Sequence, residues 1–90
     1  MKKPYLEVTF RRGRAVAAYL YLGKRGSGEK SYRSTRMDPG LVVDFNRNGT
    51  PIGIEITMPS KITVASLNSA LRSLGVPAIK KGDLAPLLAA

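Results

Sequence analysis

The chain has no cysteine and no histidine. Disulfide staples, thiol catalysis, Ser-His-Asp and Cys-His nucleophile systems, and thiolate or imidazole metal sites are therefore excluded. Only oxygen ligands remain for a metal. Tryptophan is also absent, and aromatic residues make up 7% of the chain. The longest uninterrupted apolar run, Ala15 to Leu22, is far short of the roughly 20 residues that span a bilayer. Lys2 and Lys3 resemble the start of a signal peptide, but Glu7 and Arg11 interrupt the stretch that would follow. The sequence reads as a soluble, cytoplasmic protein with no membrane partner, and the lack of cysteine agrees with a reducing compartment.

What is present fits one small domain, residues 1–90, with 43% hydrophobic and 23% charged residues. There is no room for a separate cofactor domain, and no cofactor is expected. Fifteen basic residues stand against six acidic ones, a net charge of +9. Ten of the fifteen lie in residues 1–36, where the only acids are Glu7 and Glu29. A field concentrated in this way favours anionic partners such as nucleic acid or an acidic protein.

Tyr5 to Phe10 alternates, with Leu6, Val8 and Phe10 on one face and Tyr5, Glu7 and Thr9 on the other. This is the pattern of a half-buried strand. Arg11-Arg12-Gly13-Arg14 turns the chain, and Ala15 to Leu22 returns with Val16, Ala18, Leu20 and Leu22 on one face. Matching the apolar sets puts even-numbered residues opposite even-numbered ones, which favours a three-residue connection over a two-residue one. Gly23 to Gly28 reads as a flexible loop, residues 29–37 as a charged edge strand, and Asp38-Pro39-Gly40 as a turn.

The next segment carries the clearest signal. Leu41-Val42-Val43-Asp44-Phe45 and Ile52-Gly53-Ile54-Glu55-Ile56 flank Asn48-Gly49. A type I′ turn centred there sets Leu41 opposite Ile56, Val43 opposite Ile54 and Phe45 opposite Ile52. Six large apolar side chains then share one face, and Asp44 and Glu55 share the other. Downstream, Thr63 is placed to cap a helix over about 63–74, in which Val64, Leu67, Leu71 and Leu74 recur with Ala70 alongside. Gly75 and Pro77 stop it. Asp83 is expected to cap a short second helix over about 84–89, with Pro86 tolerated in its first turn.

From about Ala17 to Lys61 the chain resembles the small bacterial proteins grouped as domain of unknown function 2283. An apolar strand ending AxYLYL, a Gly-containing loop and a charged strand are followed by DPGLVVDFNRNGTPIGIEI and by Ser60-Lys61. The family pattern has an acidic turn after its first strand, where this chain has Arg11-Arg12-Gly13-Arg14. The resemblance implies an antiparallel sheet and a following helix, and it implies no activity.

The expected class is therefore α+β: an antiparallel meander sheet of about five strands, one face covered by the helix near 63–74. The other face carries Tyr5, Tyr19, Tyr21 and Val42, candidate residues of an interface in a homodimer or higher oligomer. The function expected on these grounds is a non-catalytic protein-binding module, its partner itself or an unidentified protein, such as the second member of a two-gene bacterial pair. A second reading is nucleic-acid binding by Arg11, Arg12, Arg14, Lys24, Arg25, Lys30, Arg33 and Arg36, with the tyrosines as stacking platforms.

A third reading uses Asp44 and Glu55, diagonal neighbours about 7–8 Å apart by Cα, as a Mg²⁺ site or an acid–base pair. The competing expectation is that each carboxylate meets an Arg from the strand 29–37 or from a partner chain. Two other motifs carry less. Gly23 to Ser31 looks like a phosphate-binding loop, but Glu29 stands where that motif needs Lys. Ser60-Lys61 reads as a strand-to-helix junction, because adjacent side chains seldom face each other.

Overall fold

A computed structural model of the protein describes residues 5–22, 31–37 and 40–88. The expected loop at 23–28, with Lys24 and Arg25, lies outside the described residues, as do Lys30, Asp38, Pro39 and Ala89. Five strands form one antiparallel sheet: β1 Tyr5–Arg11, β2 Arg14–Tyr21, β3 Arg33–Arg36, β4 Leu41–Phe45 and β5 Pro51–Ile56. Helix α1 spans Val64–Ser73, and the short α2 spans Ala85–Leu88. The expected α+β class and the five antiparallel strands are present.

The strand order is not a simple meander. It runs β1-β2-β5-β4-β3, so β2 pairs with β5 rather than with β3. Composition explains the exchange. β5 offers Ile52, Ile54 and Ile56, all buried, and suits the middle of the sheet. All four residues of β3, Arg33 to Arg36, are exposed. A central position would bury its two guanidiniums, so it takes the edge, where charge also blocks further strand pairing.

In the β4–β5 hairpin the expected register holds for Leu41–Ile56, Val42–Glu55, Val43–Ile54 and Asp44–Gly53. It shifts at the turn end, where Phe45 pairs with Pro51 instead of Ile52. The cause is the turn itself. Gly49 has φ +82°, but Asn48 is not in the left-handed region, so a type I′ turn is not formed. Gly49 N donates to Asn46 O, and Asn46 N donates to Thr50 O, closing a three-residue loop. Asn46 Oδ1 accepts from the backbone N–H of Asn48 (2.9 Å) and of Thr50 (3.0 Å), which fixes the loop. The apolar face survives the shift. Leu41, Val43, Ile54 and Ile56 are fully buried, Ile52 is buried, and Phe45 packs against the core.

The β1–β2 hairpin departs in the converse way. Tyr5 to Thr9 pair with Tyr21 to Ala17 in the even register expected, but Phe10 then pairs with Ala15 and Arg11 with Arg14. Two residues make the turn, Arg12 (φ +53°) and Gly13 (φ +79°), not three. Both occupy the left-handed region that two-residue hairpin turns of type I′ require. A bulge at Val16 absorbs the difference and leaves Val16 44% exposed, off the core face expected for it.

The helices cover the apolar side of the sheet. Thr63 caps α1 by a reciprocal pair: Ser66 N donates to Thr63 Oγ1 (3.0 Å), and Thr63 N donates to Ser66 Oγ (3.1 Å). Leu67, Ala70 and Leu71 point into the core, with Val64 and Leu74 packed against it. Gly75 (φ +73°) ends the helix, with Val76 N donating to Leu71 O and Gly75 N to Arg72 O. Ser60 and Lys61 lie in a 3₁₀ turn, Pro59–Lys61, between β5 and α1.

The second helix is shorter than expected. A 3₁₀ turn, Lys81–Leu84, precedes it, and Asp83 accepts from Lys80 N (3.2 Å) rather than capping α2. Leu84 and Leu87 enter the core cluster. Among the described residues, no helix is long and apolar enough to cross a membrane.

Candidate functional site

The helices lie on one side, and among the described residues none covers the opposite, open face of the sheet. Pairing places two rows of residues across it. One runs Tyr5, Tyr21, Gly53, Asp44, Ser34; the next runs Glu7, Tyr19, Glu55, Val42, Arg36. The residues of each row come in order from β1, β2, β5, β4 and β3, because cross-strand partners share a face.

The tyrosines are brought together. Tyr5 and Tyr21 stack at 4.5 Å between ring centroids, and Tyr19 meets Tyr21 edge-on at 4.7 Å. Tyr21 donates to Glu7 Oε1 at 2.8 Å. Tyr19 reaches across β5 and donates to Asp44 Oδ2 at 2.7 Å. Gly53 makes that reach feasible, since a Cβ there would fall on the Tyr19 ring. Ser34 donates to the other oxygen of Asp44, Oδ1, at 2.6 Å. Val42 is half-buried on the same face, two strands from Tyr19.

Asp44 and Glu55 are the diagonal neighbours that the register predicts. Asp44, however, is met by two hydroxyls and not by the arginine of the earlier expectation. β3 offers Ser34, and not Arg33, opposite Asp44. With one oxygen bonded to Tyr19 and the other to Ser34, the carboxylate ties β2, β3 and β4 together. Glu55 is exposed. Among the described residues no group of three or more His, Cys, Asp or Glu stands together as a metal site.

The basic set is dispersed. Arg11, Arg12 and Arg14 gather at the tip of the β1–β2 hairpin. Arg36 lies at the far edge of the open face. Arg33 lies on the other side of the sheet, its guanidinium 4.3 Å from the Phe45 ring centroid. Lys24, Arg25 and Lys30 lie outside the described residues.

The open face itself carries Glu7, Asp44 and Glu55 against Arg36. Two of its tyrosine hydroxyls are bonded to carboxylates. The hairpin is a separate feature. Its strands continue past the last β5 pair, Ala18–Ile56, with Ala15 still packed against the core and Arg11 to Arg14 exposed at the tip of this arm. Phe10 (49% exposed) and Val16 stand on its sides.

Sequence patterning found the tyrosines and Asp44 but missed the link between them. The one available signal was Gly53 in the middle of an isoleucine strand, a position where a glycine often marks a close approach.

Fold and face define a small α+β domain: an antiparallel sheet covered by helices on one side and open on the other. Within it, residues 17–58 match the family described as Protein of unknown function (DUF2283). No curated protein and no solved structure matches the chain. The matched segment takes in most of β2 and all of β3, β4 and β5, hence Tyr19, Ser34, Asp44 and Gly53. The arginine-tipped turn and both helices lie outside it.

Proposed function

We propose that the protein is a non-catalytic binding module that works as a homo-oligomer through the open face of its sheet. The observation that carries this reading is the Tyr5–Tyr21–Tyr19 cluster, with Val42, on a sheet face that no helix covers among the described residues. Tyrosine supplies large apolar area, but its hydroxyl needs a partner once covered. Here Tyr19 and Tyr21 already hold theirs in Asp44 and Glu7, so covering the face strands neither hydroxyl. A stable interface takes roughly 800 Å² per partner, about an eighth of the 6080 Å² of the chain.

The test is the mass in solution at micromolar concentration, by sedimentation, for the wild type and for Tyr5→Ser. A wild-type mass of two chains or more that falls toward one in the variant supports the module. A wild-type mass of one chain overturns it.

The arm favours a second reading, nucleic-acid binding by the basic N-terminal half. Four residues of β2, Arg14–Ala17, run on past the last β5 pair for about 13 Å at the usual rise per residue, and the tip from Arg11 to Arg14 is exposed. A B-DNA major groove is about 12 Å wide and 8.5 Å deep and admits a two-stranded ribbon. Arg11, Arg12 and Arg14 at the tip would meet phosphates. Replacing all three by Ala then lowers the magnitude of the salt-dependence slope of duplex binding by about 2.7. The same number of charges removed at Arg72, Lys80 and Lys81 leaves that slope in place. Equal losses in both variants would reduce the effect to net charge and remove this reading.

A further inference from the structure

The second row of the open face has opposite charges at its two ends. Glu7 stands at the β1 edge and Arg36 at the β3 edge, with Tyr19, Glu55 and Val42 between them. β5 is the middle strand, with two strands on either side. Glu7 and Arg36 are thus four strand spacings apart, about 19 Å, and cannot pair within one chain. Both are exposed.

We infer that two copies stack open face to open face about a two-fold axis lying along β5, so that Glu7 of each copy pairs with Arg36 of the other. The inference rests on the proposed self-association and specifies its geometry. A two-fold axis along the central strand reverses each row over its copy. β1 then lies over β3 of the second copy, and β2 over its β4. In the charged row, Glu7 meets Arg36 of the second copy, and Tyr19 meets its Val42. In the other row, Gly53, covered by the Tyr19 ring, faces Gly53 of the second copy, and Tyr21 lies over its Asp44.

Among the described residues the two rows carry three carboxylates and one guanidinium, so Arg36 is the group through which opposite charges meet across two copies, whereas an axis along β2 would set Glu7 against Glu55 of the other copy, a costly like-charge contact. The axis along β5 satisfies both ends of the row twice over. It leaves one like-charge contact, Glu55 against its own copy at the axis. Twisted sheets stack with their strands about 30° apart, which tilts the axis about 15° from β5, a rotation that long Glu and Arg side chains at the rim can follow.

Charge reversal with complementation in trans tests this. Glu7→Arg alone and Arg36→Glu alone each place like charges at both rim contacts, and each weakens the homodimer by about tenfold or more. Mixed one to one, the two variants form a heterodimer with near wild-type affinity, because each supplies the charge that the other lacks. Glu55→Gln tightens the wild-type dimer by removing the repulsion at the axis. Sedimentation of the separate and mixed proteins, with a tag on one variant, reads all three effects. Circular dichroism confirms that the sheet is intact.

A wild-type dimer whose single variants are not rescued by mixing overturns the axis along β5 and leaves the module standing. A wild-type monomer overturns both.

Discussion

The Tyr19 hydroxyl and the Asp44 carboxylate are joined at 2.7 Å across an intervening strand. They belong to β2 and β4, with β5 between, and the residue beneath the bond is Gly53. A phenol spans that width only if the middle strand presents no side chain. The glycine is thus required for the bond that ties the open face together, although it lies at an unremarkable φ.

Gly53→Ala is the first consequence. The added methyl would meet the ring of Tyr19, which is itself braced by the edge contact with Tyr21. Displacing the ring also breaks its bond to Asp44. The expected cost is about 1–3 kcal/mol, read as a lowered denaturant midpoint at unchanged m-value. Tyr19→Ala in the same chain empties the space, so the double variant loses less than the sum of the singles. Strict additivity would show that the ring does not lie over the glycine in solution.

Asp44 is the acceptor for two hydroxyls, and replacing it by Asn tests that arrangement. An amide retains one oxygen acceptor and substitutes a donor for the other, so either Tyr19 or Ser34 loses the carboxylate it donates to and can only accept from the amide. A loss of about 1 kcal/mol is expected. Ser34→Ala in the Asn variant adds little if Ser34 is the partner displaced, and a further cost of the same size if it is Tyr19. Chemical denaturation of the four proteins in this cycle separates the cases.

Much of this was legible in the residues, and the parts that were not have physical reasons. The apolar alternation of Leu41–Phe45 with Ile52–Ile56 fixes which faces pair, because a slip by one residue would expose every isoleucine. That alternation does not fix how the turn is built. Asn48-Gly49 suits a type I′ turn, but the Asn46 side chain captures two backbone N–H groups and selects a three-residue loop.

Strand order was hidden for a different reason. It depends on the relative burial cost of β3 and β5, a comparison between distant segments that no local pattern expresses. The basic residues illustrate the same limit. Ten cations in one half of the sequence look like a patch, but alternation sends Arg33 and Arg36 to opposite faces.

Arg12 sits at φ +53° in the two-residue turn of the β1–β2 hairpin, a conformation that costs a side chain with a β-carbon roughly 1–2 kcal/mol. Asparagine tolerates that region, and Asn-Gly is the preferred pair for such a turn. Arg12→Asn should therefore stabilise the protein by about 0.5–1 kcal/mol, visible as a raised thermal midpoint. Arg12→Val, β-branched and averse to positive φ, should do the reverse. If both substitutions are neutral, the turn is not the two-residue form.

Asn68 holds the segment after α1 in place with both ends of its amide. Its Nδ2 donates to Ile79 O at 3.1 Å, and its Oδ1 accepts from Ile79 N at 2.9 Å. Ile79 is buried in the core cluster, and Leu84 and Leu87 follow it into the same cluster. The amide therefore anchors the stretch of chain that carries these later residues to the core.

Asn68→Ala would strand the N–H and the carbonyl of Ile79 in a partly buried position, at a cost of about 2–3 kcal/mol. Asn68→Asp keeps the acceptor for Ile79 N but turns a carboxylate oxygen toward Ile79 O, so it should be no better than Ala. Hydrogen exchange provides the local readout: the Ile79 amide should lose protection in both variants by far more than the amides of β4 and β5. Uniform loss across the chain would mean that Asn68 supports global stability without clamping this segment.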